Sequence, residues 1–248
     1  MMMDGIIIVD KPEGWTSFDV VNKIRNLTKA KRVGHSGTLD PMATGVLPVF
    51  VGKATKSIQY FMNGDKGYEG EMVLGVRTDT GDAEGKVIMT NEELSRACRQ
   101  AGITNEGIIE AFKKYTGEIE QVPPMYSAVK IKGKKLYELA RKGIEVKREP
   151  RKISIYSLLI THYAPPSVSF SVLCSKGTYI RQLAMDIGDD LGCGAHLSKL
   201  RRTYAQPFHV SQAINMETIV TLAKIGNLAT VLLPPDEILR VTKEAEVG

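Results

Sequence analysis

Two segments separated by Pro165-Pro166 constrain the fold of this chain more than any other part of the sequence. Residues 153–163 precede the prolines. The segment after them places apolar residues at every second position, namely Val168, Phe170, Val172 and Cys174. Successive side chains of a strand point to opposite faces of a sheet, so this alternation predicts a strand with one buried face. The two segments together predict a β-hairpin in an antiparallel sheet.

Further strands and helices interleave along the chain. Strands are predicted at residues 6–9, 46–51 and 67–76, with a turn at residues 79–85. Ser17 is predicted to cap a helix whose buried stripe consists of Phe18, Val21, Ile24 and Leu27. The remaining helices are predicted at residues 90–100 (a Thr90/Glu93 capping box), 104–115, 136–140 and 178–191, and after Asn215. Because no regular βαβ order is present, we expect an α+β fold, with a mixed, largely antiparallel sheet and flanking helices.

The composition is that of a globular protein with 248 residues, of which 43% are hydrophobic. No run of about 18 apolar residues is present, and the N-terminal residues lack a basic leader. The three cysteines, Cys98, Cys174 and Cys193, are scattered and odd in number, which favours reduced thiols. We therefore expect a cytoplasmic protein without a membrane partner.

Positive charge is concentrated in two segments. Residues 130–152 contain ten Lys or Arg and three Glu, and residues 23–32 contain five Lys or Arg and no acid. Such segments favour a polyanionic partner, because Lys and Arg neutralise phosphates and release counterions. The alternative is an ordinary solvated face, which is common for a charged segment.

Residues 34–45, Gly-His-Ser-Gly-Thr-Leu-Asp-Pro-Met-Ala-Thr-Gly, surround a single carboxylate with residues that bend the backbone. Pro41 fixes its own φ and disfavours helical geometry at Asp40, so Asp40 is expected in an extended or turn conformation. Loops carry functional residues more often than their share of the chain, although most loops of this composition are only connections. Asp40 is therefore a candidate functional residue.

Three other motifs fail on their spacing or residue types. Gly45 to Lys53 has six residues between its glycines, where a phosphate-binding loop has four, and Ala54 replaces the magnesium-binding hydroxyl. Residues 79–85 lack the alternating oxygen ligands and distal Glu of a calcium loop. Cys193 and His196 have no second pair of zinc ligands nearby in the sequence. We therefore discard the phosphate-binding, calcium-binding and zinc-binding interpretations of these motifs.

Five ordered motifs resemble those of the bacterial TruB-type tRNA pseudouridine synthases. They are the Asp40 segment continued through Val46-Leu47, Lys66-Gly-Tyr-Glu with Leu-Gly-Val-Arg-Thr-Asp-Thr-Gly-Asp, Gln121-Val-Pro-Pro-Met-Tyr-Ser-Ala, Ser175-Lys-Gly-Thr-Tyr-Ile-Arg, and Leu200-Arg-Arg-Thr. Their order and spacing agree from about Asp4 to Leu239.

The resemblance implies the pseudouridine synthase catalytic fold and a cofactor-free isomerisation. In this reaction uridine-55 in the tRNA T loop is flipped out, detached from its ribose at N1 and rejoined through C5. Asp40 matches the catalytic aspartate, which acts either as a nucleophile at the ribose C1′ or as a base toward the C2′ hydrogen. The sequence leaves both roles open.

The resemblance also assigns the substrate-binding residues. Arg181 matches the arginine that pairs with the aspartate, and Tyr68 matches the tyrosine that stacks on the target base. Tyr179 and Leu200 match residues that line the pocket, and His35 matches a histidine near the position that the flipped base leaves. A tyrosine or histidine in any one of these places would otherwise be a packing or turn residue.

The same resemblance sets the expected organisation and partner. We expect one catalytic domain over residues 1–240 and a short polar tail at 241–248, without the C-terminal PUA-type domain that the family commonly carries. The expected partner of this monomer is tRNA, bound through its T arm. The competing hypothesis is an RNA-binding or tRNA-folding protein without catalysis, which would have no need to hold the Asp40 carboxylate, paired with Arg181, beside a flipped ribose.

Overall fold

The computed structural model of the chain describes residues 3–89, 104–131, 133–236 and 238. Its α-helices are α1 Ser17–Thr28, α2 Ile58–Phe61, α3 Asn105–Lys114, α4 Leu136–Ala140, α5 Ile180–Asp190 and α6 Met216–Lys224. Short 3₁₀ helices cover Gly52–Ser57, Val210–Gln212 and Leu228–Val231. The strands are β1 Gly5–Lys11, β2 Val33–His35, β3 Thr44–Val51, β4 Lys66–Leu74, β5 Arg77–Thr78, β6 Val87–Met89, β7 Gly117–Gln121, β8 Lys130–Ile131, β9 Lys134–Lys135, β10 Arg151–Ala164, β11 Ser167–Cys174, β12 Ala195–Ala205, β13 Phe208–His209 and β14 Ile214–Asn215.

The chain divides into two compact units. The first unit consists of Met1–Tyr68 and Leu200–Gly248, and the second of Glu69–Lys199. Strands β4 and β12 each contribute residues to both units. The predicted single domain at residues 1–240 stays a prediction, and the predicted tail at 241–248 lies outside the described residues.

In the first unit the strand order is β14-β1-β3-β12, with β2 paired to β3 and β13 paired to β12. The β1–β3 pair is antiparallel, whereas β1–β14 and β3–β12 are parallel. Alternating apolar residues pack into a core beneath these strands, and this core comprises Ile6, Ile8, Val46, Phe50, Ala54, Phe61, Ala205 and Phe208. Helix α1 packs against β2 and β3, and α6 packs against β1 and β14.

In the second unit the strand order is β4-β11-β10-β7. The hairpin β10–β11 is antiparallel, as its alternating pattern predicted, and the four alternating apolar side chains of β11 are buried. Helix α3 packs against β10 and α5, and its Phe112 makes an edge contact with Phe170 at 6.1 Å between ring centroids. The predicted α+β class, with a mixed and largely antiparallel arrangement of strands flanked by helices, is confirmed.

The start of α1 differs from the prediction. Thr16, rather than Ser17, is the N-cap, and it forms a capping box with Asp19. The Ser17 hydroxyl faces Leu39 instead, which turns Ser17, Val20 and Ile24 inward and leaves Phe18 64% exposed. The predicted buried position of Phe18 is wrong because Phe18 is about 100° around the helix from Ser17.

The other helix predictions agree with the structure wherever it describes the chain. Thr104 caps α3 through the Gly107 N–H, and Asn215 caps α6 through the Thr218 N–H. The predicted helix at 90–100, with its Thr90/Glu93 capping box and Cys98, lies outside the described residues. Cys174 and Cys193 are fully buried. No helix in the described part of the chain has the length and apolar character needed to cross a bilayer.

Candidate active site

Asp40 lies half-buried at the first position of a tight turn in the first unit. The Ala43 N–H donates to the Asp40 carbonyl at 3.1 Å, and Pro41 occupies the second turn position, where its fixed φ is favoured. Leu39 and Met42 on either side are 3% and 7% exposed. Two buried apolar side chains therefore anchor the backbone that carries the carboxylate.

Ser17 fixes this turn to the start of α1. Its hydroxyl donates to the Leu39 carbonyl at 3.0 Å and accepts from the Leu39 N–H at 2.8 Å. Ser17 is 2% exposed. Both backbone groups of the residue before Asp40 are therefore satisfied by one buried side chain.

A buried lysine holds the residue after Asp40. Lys11, at the end of β1, is fully buried, and its ammonium donates to the carbonyls of Pro12 at 2.8 Å, Trp15 at 2.6 Å and Pro41 at 3.1 Å. The Pro41 carbonyl also accepts from the Gly14 N–H at 2.9 Å. Carbonyl oxygens that surround an ammonium compensate for the cost of burying its charge.

Arg202 in β12 ties together the two ends of the loop. Its Nε donates to the Val46 carbonyl at 2.7 Å and its Nη2 to the Gly37 carbonyl at 3.1 Å, while the side chain is almost fully buried. Gly45 approaches the backbone of β12 so closely that a Cβ there would lie 2.2 Å from the Arg202 carbonyl oxygen, and its φ is +98°. Only glycine fits that position without displacing β12.

His35 lies at the beginning of the same loop. Its Nδ1 accepts from the Gly37 N–H at 3.2 Å, which leaves Nε2 to carry the proton of the neutral ring. Burial lowers the pKa of His35, and the nearby Arg202 guanidinium lowers it further. The imidazole is therefore uncharged at neutral pH.

Tyr68 and Leu200 complete the predicted residues of the first unit. Tyr68 lies in β4 and is 9% exposed, and Leu200 lies in β12 and is 7% exposed. The first unit thus contains His35, Asp40, Tyr68 and Leu200, and the second unit contains Tyr179 and Arg181.

Tyr179 is the N-cap of α5, and the side chain of Gln121 holds its backbone. The Tyr179 N–H donates to Gln121 Oε1 at 2.8 Å, and Gln121 Nε2 donates to the Tyr179 carbonyl at 3.1 Å. Gln121 is 2% exposed at the end of β7. The Gln121 side-chain amide therefore makes the same pair of hydrogen bonds to the Tyr179 backbone as a neighbouring strand would make. These bonds hold the backbone at the N-cap of α5.

Arg181 is in the first turn of α5 and is 4% exposed. Within the second unit it donates to the carbonyls of Thr80 at 2.7 Å and Tyr126 at 2.8 Å, and its Nε lies 3.6 Å from the Asp82 carboxylate. Asp82 in turn accepts from the Thr80 hydroxyl at 2.6 Å and the Glu84 N–H at 3.1 Å. The guanidinium is held rigidly by the turn at residues 79–85.

The sequence assigned no role to four of the residues that hold these groups, namely Lys11, Asp82, Gln121 and Arg202. It predicted Ser17 as a helix cap, whereas Ser17 holds Leu39. Asp82, Gln121 and Arg202 lie inside the quoted motifs, so the motifs themselves contained a signal for them. The predicted pairing of Asp40 with Arg181 joins residues of different units and stays a prediction.

Family models match most of the chain. One described as "TruB family pseudouridylate synthase (N terminal domain)" matches residues 25–180, and one described as "tRNA pseudouridylate synthase B C-terminal domain" matches residues 181–240. These matches define an RNA-modifying isomerase. The chain belongs to the TruB family of pseudouridylate synthases.

Similar curated proteins are named tRNA pseudouridine synthase B. The protein from Clostridium kluyveri is 48% identical over 237 residues, which cover 96% of this chain and 78% of that protein. The one from Geobacter sulfurreducens is 45% identical over 237 residues, covering 96% and 76% respectively.

Solved structures share the fold. A chain of a Cbf5-Nop10-Gar1 complex superposes with a TM-score of 0.73 at 31% identity, over 96% of this chain and 62% of that chain. An H/ACA RNP bound to a substrate RNA containing 2′-deoxyuridine gives 0.69 at 28% identity, over 94% and 60%. This chain thus spans about three fifths of those chains. The predicted pseudouridine synthase fold is confirmed.

Proposed function

We propose that this chain converts uridine-55 in the T loop of tRNA into pseudouridine, with Asp40 as the catalytic carboxylate. The observation that carries the proposal is the half-buried Asp40 on a turn whose backbone is held from three sides by buried side chains. A fixed carboxylate of this kind serves a reaction that needs negative charge at one defined place.

The chemistry rearranges bonds without oxidation or reduction. The uracil N1–C1′ bond breaks, the ring turns, a C5–C1′ bond forms, C5 loses its proton and N1 gains one. Positive charge develops at C1′ and negative charge on the uracil, so a carboxylate beside the sugar stabilises the separated state. Asp40 acts as the nucleophile at C1′ or as the base at C2′.

The other predicted residues serve this step by position. We propose that Arg181 pairs with Asp40, that Tyr68 stacks on the flipped base, and that Tyr179 and Leu200 line the pocket. Flipping the target base out of its stack costs a few kcal/mol. We propose that the uncharged ring of His35 fills the space that the base leaves and so offsets part of this cost.

The proposed substrate is a polyanion, and the charged segment at 130–152 supports this. Within the described residues, its exposed basic side chains are those of Lys130, Lys134, Arg141, Lys142, Lys147, Arg151 and Lys152. We propose that this segment binds the T arm through the phosphate backbone. A monomer acting on tRNA in the cytoplasm is the corresponding working form.

Replacing the carboxylate tests the catalytic role directly. Asp40→Asn keeps the size of the side chain and removes its charge, so turnover should fall by at least about 10³-fold while tRNA binding changes little. Tritium release from tRNA labelled at uridine C5 measures turnover, and filter binding measures affinity. Glu13→Gln, which neutralises an exposed acid in the same unit, is the matched control and should retain full turnover.

The same experiment separates the two hypotheses. If Asp40→Asn released tritium as fast as the unmodified chain, Asp40 would not be the catalytic group. If the unmodified chain bound tRNA but released no tritium, the chain would be a tRNA-binding protein without catalysis.

A further inference from the structure

Ser17 is buried at the start of α1, where the helix does not need its hydroxyl. The N-cap of α1 is Thr16, whose side chain accepts from the Asp19 N–H at 3.0 Å. Both hydrogen bonds of the Ser17 hydroxyl go instead to the backbone of Leu39, which is 22 residues away in the sequence. Because Ser17 is only 2% exposed, its hydroxyl is shielded from a bound RNA.

The two bonds hold the peptide groups on both sides of Leu39. A peptide group is planar, so the Leu39 carbonyl lies in one plane with the N and Cα atoms of Asp40. The Leu39 N–H belongs to the preceding peptide group. In the part of the chain that the structure describes, neither group has another hydrogen-bond partner. The orientation of the Leu39–Asp40 peptide group therefore depends on Ser17.

The peptide group on the other side of Asp40 is held separately. The Asp40 carbonyl accepts from the Ala43 N–H at 3.1 Å, and the ring of Pro41 fixes the next φ. The Pro41 carbonyl accepts from the Lys11 ammonium at 3.1 Å. The Cα atom of Asp40 thus lies between two fixed peptide groups, and Ser17 holds the N-terminal one.

We propose that Ser17 is a positioning residue for the isomerisation, and that it acts through the Leu39–Asp40 peptide group on the direction in which the Asp40 carboxylate points. This inference rests on the proposed function, because it takes from there the role of Asp40 beside the ribose. Without the hydroxyl, the N–H and carbonyl of the buried Leu39 lose their partners, and the peptide group is free to turn. Misplacing a reacting group by about 1 Å costs about 10²-fold in rate.

The test compares Ser17→Ala with the unmodified chain in single-turnover reactions, with folded enzyme in saturating excess over tRNA labelled with tritium at uridine C5. We expect the rate constant of tritium release to fall about 10- to 100-fold in Ser17→Ala. The Kd for tRNA should stay unchanged, because Ser17 does not contact the RNA. A loss of stability alone lowers the folded fraction but leaves this rate constant unchanged while folded enzyme stays in excess.

Two further substitutions at the same position define the role of the hydroxyl. Ser17→Thr keeps the hydroxyl and should retain most of the unmodified rate constant. Ser17→Cys fills the same space with a weak donor and a weak acceptor, and its rate constant should fall as in Ser17→Ala. The test therefore does not depend on the folding of Ser17→Ala.

Thr28→Val, at the last residue of the same helix, is the matched control. It removes another buried hydroxyl, which donates to the Ile24 carbonyl at 2.8 Å. The variant should lower Tm and retain the full single-turnover rate constant, because this bond lies within α1 and does not involve the Asp40 turn.

The outcomes separate this proposal from the proposed function. An unchanged rate constant in Ser17→Ala and Ser17→Cys, beside an unmodified chain that isomerises tRNA, would overturn the positioning role alone. An equal fall in Ser17→Thr or in Thr28→Val would also overturn it, because the loss would then follow from disturbed packing. If the unmodified chain bound tRNA without releasing tritium, the proposed function would fail and the positioning role with it.

Discussion

Asp186, near the end of α5, is a carboxyl group in an unfavourable position. Burial is the main cause that raises its pKa, and the neighbouring carboxylates of Asp189 and Asp190 raise it further. Gln182, which donates to Asp186 Oδ1 at 2.7 Å, and Arg77 act in the opposite direction. At neutral pH this charge opposes folding.

The raised pKa predicts how stability depends on pH. The contribution of a protonated Asp186 is fully present below the unfolded-state value of about 3.9 and is lost as pH rises through the folded-state pKa. Asp186→Asn should therefore raise Tm at neutral pH, and the gain should vanish at about pH 3 to 4, which thermal unfolding at several pH values measures. Glu217→Gln in the first turn of α6, where a negative charge is favourable, should give no gain.

Whether the role of a residue could be predicted from the sequence depended on how many residues separate it from its hydrogen-bond partner. The caps Thr104 and Asn215 contact N–H groups three residues away, and the sequence predicted a helix that starts at each of these positions. The bond from Arg202 to Gly37 spans 165 residues. No local pattern encodes such a contact. The Leu200-Arg-Arg-Thr motif singles out Arg202, but its partners Val46 and Gly37 could not be identified before the fold was known.

At the scale of elements, β7 and α5 are joined by the side chain of Gln121. Gln121→Leu should remove the acceptor of the Tyr179 N–H and one of two donors to the Tyr179 carbonyl, which keeps its bond from the Leu183 N–H at 3.0 Å. The free energy of unfolding should fall by about 1–3 kcal/mol. Turnover should also fall, because α5 carries Arg181 and begins at Tyr179. Urea unfolding and tritium release measure the two effects.

Two further variants test whether the effects of Gln121→Leu come from the lost hydrogen bonds. Gln121→Glu retains the acceptor for the Tyr179 N–H and should be affected less than Gln121→Leu. Gln59→Leu removes an exposed glutamine and should change neither quantity. Unaltered stability in Gln121→Leu would mean that α5 begins where it does without this side chain.

The elements themselves were predictable because burial repeats with their period. In β11 every second side chain is buried, and in α1 the buried face recurs at three- and four-residue intervals. The start of α1 was misassigned because two adjacent hydroxyl residues, Thr16 and Ser17, can both cap a helix. The choice between them depends on Leu39, which is 22 residues from Ser17.

At the scale of the whole molecule, the salt dependence of tRNA binding reports on the segment at 130–152. Changing Lys134, Lys135, Arg141 and Lys142 together to glutamine should weaken binding and reduce the salt slope by up to about one for each phosphate left without its cation. Lys113→Gln is the control, because it removes an exposed positive charge outside this segment and should leave the salt slope unchanged. An unchanged slope would identify the segment as a solvated face, in which Lys135 and Arg141 serve to cover the Tyr137 ring.

The two units differ in whether their residues are continuous in the sequence. The second unit is one continuous segment, whereas the first is built from residues 1–68 and 200–248. Chains emerge from the ribosome N-terminus first, and domains generally fold as their residues become available. Arg202, which bonds to the Asp40 loop, is synthesised roughly 160 residues after Asp40, so the loop cannot adopt its final conformation before then. The basic segment proposed to bind RNA belongs to the continuous second unit and can therefore fold earlier than the Asp40 loop.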